Sequence, residues 1–276
     1  MADPTTWLNG VERDTLAISD RGLSYGHGVF ETILLKEGEL SLWPLHLQRL
    51  ILGCVRLGIP TDGLEQALES DLSCLPQGHT GIVKLIITCG PGGRGYATPD
   101  NAQVSRIIQL SPLPEYTEQP AEKGIAVCYC STRLAIQPLL AGIKHLNRLE
   151  QVLARAEWQG SIYREGIVCS MEGELIEATM SNLFFVRQGV LCTPDLSRCG
   201  VAGVMRARIL QIAQQNKMVI AVGRYWPRVL DDADEVFICN SLIGIWPVIS
   251  LEGRSFSPGP VTRRLQQELE KSGLGC

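Results

Sequence analysis

No stretch of the 276-residue chain approaches the roughly 18–20 consecutive apolar residues that a membrane-spanning helix needs, so a membrane is not an expected partner. Met1 to Asn9 has neither a basic start nor an apolar core, and no secretory signal is expected there. Basic residues do not exceed acidic ones: 25 Lys and Arg stand against 29 Asp and Glu, a net charge of −4. That balance offers a polyanion no broad basic face, and nucleic acid is not expected as a partner. Histidine is scarce, with four residues and no HxxxH spacing, and no CxxC pair occurs, so no metal site is expected. Ten cysteines in 276 residues fall below the density of a disulfide scaffold. They sit inside apolar runs such as Val127-Cys128-Tyr129-Cys130, which suits buried reduced thiols and a cytoplasmic location. No GxGxxG follows a strand and opens a helix, so a dinucleotide fold is not indicated.

What is present is a foldable chain. With 45% apolar and 20% charged residues it can bury a core, and its length suits one large or two modest domains. The best boundary is Pro112–Pro120, three prolines in nine residues between two strand-like runs. It predicts an N-terminal α+β domain over 1–114, a linker over 115–120 and a C-terminal domain over 121–276 that carries Lys144. In the first domain Val29–Leu35 reads as a strand and Glu39–Leu42 as its hairpin partner, with Lys36-Glu37-Gly38 as the turn. Pro44–Leu57 reads as a helix with Leu47, Leu50, Ile51 and Cys54 on one face, and Gly81–Cys89 as a buried strand. In the second, Leu146, Leu149, Val152, Leu153 and Ala156 mark one face of a helix. Gly203–Gln215 and Val261–Lys271 read as two more helices. Short strands at 166–170, 174–180, 183–187, 219–223, 235–240 and 246–251 favour a barrel-like sheet over a doubly wound one.

Lysine is thin on the ground, six residues against nineteen arginines, and Lys144 stands apart from the rest. It sits in Leu139-Leu-Ala-Gly-Ile-Lys144-His-Leu-Asn-Arg148, where apolar neighbours and a following helix N-terminus both disfavour an ammonium. A neutral lysine amine is what Schiff-base chemistry needs. An ordinary lysine at a helix start would have the same setting, and Lys84, interrupting an apolar strand, is its local rival. Glu177 is a carboxylate inside a strand pattern. A pyridinium N–H is one partner that would justify it, and a salt bridge or an outward-facing position is another. Gly200-Val-Ala-Gly203-Val204-Met205-Arg206 runs into a helix whose first N–H groups suit a phosphate, or is a plain loop. Arg49 on the first helix and Ser241 at a strand end would complete a phosphate cup, although such residues are commonly surface groups. Pro91-Gly-Gly-Arg94-Gly-Tyr96 is either a flexible turn or a loop whose guanidinium holds a carboxylate.

Taken in order, these pieces resemble one family over nearly the whole chain: the fold type IV pyridoxal-phosphate enzymes, the class IV aminotransferase-like group. Asp20-Arg-Gly-Leu-Ser-Tyr-Gly-His-Gly-Val-Phe-Glu-Thr32 resembles the N-terminal signature, and His46-Leu-Gln-Arg49-Leu resembles the phosphate-arginine helix. Lys144, Glu177 with Ser181-Asn-Leu-Phe184, and Gly203-Val-Met-Arg206 fall at matching places. The resemblance implies two domains, an α/β sandwich-like first and a barrel-like, β-rich second with flanking helices. It implies pyridoxal 5'-phosphate as cofactor and a homodimer with the active site near the subunit interface.

Residue by residue, the resemblance implies that Lys144 forms the Schiff base and Glu177 pairs with the pyridine nitrogen. It gives the phosphate to Arg49, the amides of Val204 and Met205, and Ser241. It faces Arg94 and Tyr96 to substrate carboxylates and offers Thr32 as a proton donor. Gly92–Tyr96, Ala141–Arg155 and Ile238–Leu242 are most similar to the aminodeoxychorismate lyase branch, which implies 4-amino-4-deoxychorismate as substrate and 4-aminobenzoate and pyruvate as products. Branched-chain and D-amino-acid aminotransferases of the same fold are the alternative. Two positions depart from the pattern. His27 stands where many relatives have Asp, and Arg148 stands near where branched-chain enzymes place a tyrosine.

Overall fold

Alternation of large apolar residues with smaller or polar ones builds two separate sheets. The computed structural model describes residues 4–274. The chain divides into two units, Met1–Glu115 with Ile143–Asn147, and Tyr116–Gly142 with Arg148–Cys276. The cut at 115/116 falls inside the proline-rich stretch. Residue 144, however, groups with the first unit and not, as the sequence suggested, with the second. The reason is a strand-like pairing: Val29 bridges His145 antiparallel, and Phe30 N–H donates to Lys144 C=O at 2.9 Å.

The first unit holds a six-stranded antiparallel sheet in the order β2-β1-β6-β5-β3-β4. These strands are β1 (Thr5–Leu8), β2 (Val11–Glu12), β3 (Gly28–Lys36), β4 (Glu39–Leu40), β5 (Gly81–Thr88) and β6 (Ser105–Ser111). Three helices accompany them: α1 (Arg21–Tyr25), α2 (Trp43–Arg56) and α3 (Leu64–Leu72). The β3–β4 turn works because Glu37 and Gly38 both take positive φ, 52° and 88°, the twist a tight hairpin requires. Val29, Ile33 and Leu35 of β3 and Val83, Leu85 and Ile87 of β5 point to one face. There they meet Leu50 and Cys54 of α2 and Leu64 and Leu68 of α3. Each such fully buried side chain contributes about 1.5–3 kcal/mol. The other face, with Phe30, Thr32 and Lys84, is half-buried, and Thr32 lies opposite Lys84 in register.

The second unit carries a curled nine-stranded sheet in the order β12-β11-β10-β13-β14-β7-β8-β9, with β15 beside β14. Its strands are β7 (Ile125–Leu134), β8 (Glu165–Ser170), β9 (Leu175–Ala178), β10 (Asn182–Arg187), β11 (Val190–Pro194), β12 (Ile220–Gly223), β13 (Glu235–Asn240), β14 (Gly244–Leu251) and β15 (Arg254–Ser255). Its helices are α4 (Pro120–Lys123), α5 (Leu149–Ala156), α6 (Val204–Gln215) and α7 (Pro260–Lys271). The central strands are buried on both faces, which is why they read as continuous apolar runs. Glu235 fixes the start of α7, its carboxylate accepting the amides of Val261 (3.0 Å) and Thr262 (2.7 Å).

One sequence expectation fails here. The apolar residues read as one helix face over 146–156 do not share one helix, and those that are helical lie exposed. The helix starts at Leu149, Leu146 belongs to the other unit, and Leu149, Val152 and Leu153 are exposed by 76%, 59% and 61%. Ala154, on the opposite side, is the residue that packs. The nine described cysteines are free thiols, eight of them buried. Burial pushes the thiols of Cys54, Cys130 and Cys199 up to about 12, which makes them poor nucleophiles.

Candidate active site

In the first unit the pairing of residues 144–146 with the start of β3 fixes Lys144. Its Nζ lies 4.4 Å from the centre of the Phe30 ring, and Lys84 Nζ lies 5.7 Å from that ring. Two lysines thus share one aromatic platform, with Thr32 further along the same face of β3. A cation over a ring face is attracted by the ring's π electrons.

Arg49 is one turn along α2 from His46, and both meet Glu31, which the alternation of β3 aims into the core. Arg49 Nε donates to Glu31 Oε1 at 2.7 Å, a second guanidinium nitrogen bonds Oε2, and His46 Nδ1 lies 2.6 Å from Oε2. Burial raises the Glu31 carboxyl, but the Arg49 charge and the hydrogen bonds from His46 and Arg49 overcome it and hold the pKa below the usual carboxylate range. Burial lowers that of His46, only partly offset by Glu31, so the imidazole is neutral and donates its Nδ1 proton. Glu31 and His46 thereby fix the plane of the Arg49 guanidinium. Sequence reasoning passed over both. A carboxylate alternating with Val29, Ile33 and Leu35 was the available signal, because a buried acid needs a cationic partner.

Arg94 and Tyr96 lie in the exposed loop after β5. The Tyr96 side chain is 87% exposed, and its ring meets Tyr25 edge-on at 5.4 Å.

In the second unit Glu177 lies on β9, 5% exposed, with Oε2 accepting the Val201 amide at 2.8 Å. Asn182 staples the same loop, accepting from Gly203 N–H at 3.0 Å and donating to Val201 C=O at 2.9 Å. The loop tolerates no added bulk: a Cβ at Gly203 would meet Asn182 Oδ1 at 1.9 Å, and Gly200 has φ +84°. Gly203 caps α6 without a side chain, and the ladder begins with Ala207 N–H to Gly203 C=O. The amides of Val204 and Met205 therefore precede the helix ladder at its positive end, as an anion site requires. Ser241 directly follows β13, whose Cys239 pairs with Asn182. Arg148 stands beside this acid: burial draws its guanidinium pKa down, and the charges of Glu177 and Glu150 oppose that.

The model of the amino-transferase class IV family matches residues 28–251. The chain belongs to this class IV aminotransferase family. Pyridoxal 5'-phosphate is the cofactor of the family. An aminodeoxychorismate lyase of Vibrio harveyi is 37% identical over 267 residues, 95% of this chain and 98% of that protein. A D-alanine aminotransferase of Bacillus licheniformis is 29% identical, covering 93% and 91%. Among solved structures, the 4-amino-4-deoxychorismate lyase of Pseudomonas aeruginosa superposes with a TM-score of 0.92 at 46% identity, covering 96% and 98%. The branched-chain amino acid aminotransferase of Escherichia coli gives 0.83 at 26%, covering 100% and 96%.

These residues suit that class IV cofactor. The loop held by Glu177 and Asn182, which admits no Cβ at Gly203, leads into an uncapped helix start that a phosphate would complete, and Glu177 is a buried acid able to keep a ring nitrogen protonated. Among the described residues no group of three or more His, Cys, Asp or Glu that would hold a metal occurs, and no helix is long and apolar enough to cross a membrane.

Proposed function

We propose that the chain is a carbon–oxygen lyase that converts 4-amino-4-deoxychorismate to 4-aminobenzoate and pyruvate. The observation that carries this reading is graded likeness. Two lyases match the chain at 37% and 46% identity from end to end, and the aminotransferases at 26–29%. When bound, pyridoxal phosphate supplies an electron sink for the pair left behind as a C–H bond breaks.

Everything else falls to side chains. Lys144 holds the cofactor and, released by the substrate amine, takes the proton from the amine-bearing ring carbon. Glu177 keeps the pyridine nitrogen protonated, which makes loss of that proton easier. Arg49, steadied by Glu31 and His46, holds the phosphate with the Val204 and Met205 amides and the Ser241 hydroxyl. Arg94 and Tyr96 receive the substrate carboxylates. As the C–O bond to the enolpyruvyl group breaks, the six-membered ring becomes aromatic. Thr32 delivers a proton to the departing methylene, so one proton leaves carbon, one returns, and no oxidant is needed.

The working form is a homodimer, and the exposed Leu149, Val152 and Leu153 of α5 are the surface that supports it. The free, buried thiols suit a cytoplasmic setting. The test is incubation of the pure holoprotein with 4-amino-4-deoxychorismate, following 4-aminobenzoate fluorescence and pyruvate. Equal amounts of both are expected. No aromatic product, with keto acid and pyridoxamine phosphate accumulating from added amino acids, would instead establish the aminotransferase alternative.

A further inference from the structure

Arg21 is only 3% exposed, yet among the described residues its guanidinium bonds no carboxylate. Its donors go to neutral acceptors instead. Nη1 donates to Gly95 C=O at 3.1 Å, Nη2 to Tyr96 C=O at 2.8 Å, and Nε to His27 Nδ1 at 3.1 Å. The guanidinium carbon sits 4.9 Å from the centre of the Tyr25 ring, which in turn meets Tyr96. The stem matters too: a Cβ on Gly92 would come within 2.8 Å of Arg21 Cδ. Backbone bonds from Arg21 N to Gly90 C=O and from Gly92 N to Ser19 C=O tie down the near end of the loop. The far part, carrying Arg94 and Tyr96, hangs on the guanidinium fork.

The partners of His27 fix its protonation. Nε2 lies 2.8 Å from Leu57 C=O, which can only accept, so Nε2 carries the proton and Nδ1 offers its lone pair to Arg21. Backbone bonds from His27 N–H to Arg21 C=O and from Cys89 N–H to His27 C=O hold the residue in place. Asp20 is occupied by the Thr88 and Ser105 hydroxyls and the Gly22 amide.

We propose that Arg21 and His27 are the positioning pair of the Pro91–Thr98 loop: the guanidinium carries the loop's carbonyls, and the His27 Nδ1 lone pair fixes the guanidinium. The consequence for turnover rests on the reading above that this loop presents Arg94 and Tyr96 to substrate.

The test is amide hydrogen exchange of the loop in the holoprotein, with β5 amides as the internal control. Loop protection should drop roughly tenfold in His27→Ala, the worth of one charge-assisted hydrogen bond. His27→Asn, which keeps an acceptor near the Nδ1 position, should restore it, and Arg21→Lys should leave the loop unprotected. The KM for 4-amino-4-deoxychorismate should rise in His27→Ala while kcat holds. Loop protection in His27→Ala or in Arg21→Lys equal to that of the wild type overturns the proposal. Loop exchange that follows His27 with KM unmoved upholds the pair and overturns the placing of Arg94 at substrate.

Discussion

One buried acid in each unit is held in an opposite way. In the first, Glu31 is matched by a guanidinium and an imidazole, and its carboxyl is held acidic. In the second, Glu165 is as deeply buried but meets only neutral donors: the amides of Gly166, Thr179 and Met180, and the Thr179 and Ser181 hydroxyls. Burial prevails there, and the Glu165 pKa is raised. Glu177 has both kinds of neighbour, an amide on Oε2 and the Arg148 charge beside it. The difference separates two uses of an acid. Glu31 holds a cation still so that the cation can hold something else, whereas Glu165 ties down a turn.

That contrast breaks most visibly at the reacting groups. Lys144→Ala should lower turnover by about 10³-fold or more, since it removes both the anchor and the base. Glu177→Gln should cost about 10²-fold, because the pyridine proton loses its counter-charge. Steady-state rates of 4-aminobenzoate release measure both. Next come the two structural acids. Glu31→Ala removes the carboxylate shared by Arg49 and His46 and should cost about 3–5 kcal/mol of stability. Glu165→Gln keeps an acceptor among neutral donors and should cost about 1–3 kcal/mol in the same urea titration. Equal losses would dissolve the distinction.

The pH dependence of stability sharpens it further. His46 and Glu31 both have depressed pKa values in the fold, so their contributions are present at neutral pH and decline in acid. For His46 the loss begins as pH falls below about 6.5, where the unfolded chain takes up a proton that the buried ring refuses. Glu31 follows as pH falls below about 4.5 toward its lower folded value. Glu165, with its pKa raised, has the opposite sign: its contribution is whole in acid and fades as pH rises. Urea midpoints from about pH 7.5 to about pH 5 should fall, and His46→Asn should flatten the upper part of that fall. The smallest effect belongs to the surface. Arg164 and Glu118, each about half exposed, form an ion pair whose removal in Arg164→Ala should change stability by less than about 1 kcal/mol.

Much of this was legible beforehand where a local rule governs. The period of two in β3 and β5 and the stripe of α2 gave those elements to within a residue or two. The helix α3 and strand β11 were passed over. α3 starts at a left-handed Gly63 with no capping side chain, and β11 is five residues ending on a proline. The placement of Ile143–Asn147 was not legible, because it depends on one bridge to Val29, more than a hundred residues away. The α5 stripe misled for a physical reason. Periodicity says which residues seek an apolar neighbour, not whether this chain supplies it. Lys144 and Glu177 were singled out as residues at odds with their surroundings. Arg49 was named without the Glu31–His46 pair that fixes it, because a strand and a helix must pack before that cluster exists.

One measurement bears on all of this at once. Lys144 and Lys84 flank the same Phe30 ring, and only one can be the covalent anchor. Borohydride reduction of the holoprotein, followed by peptide mapping, should place a single phosphopyridoxyl group on Lys144. The same label on Lys84, or an unlabelled protein, would contradict the account.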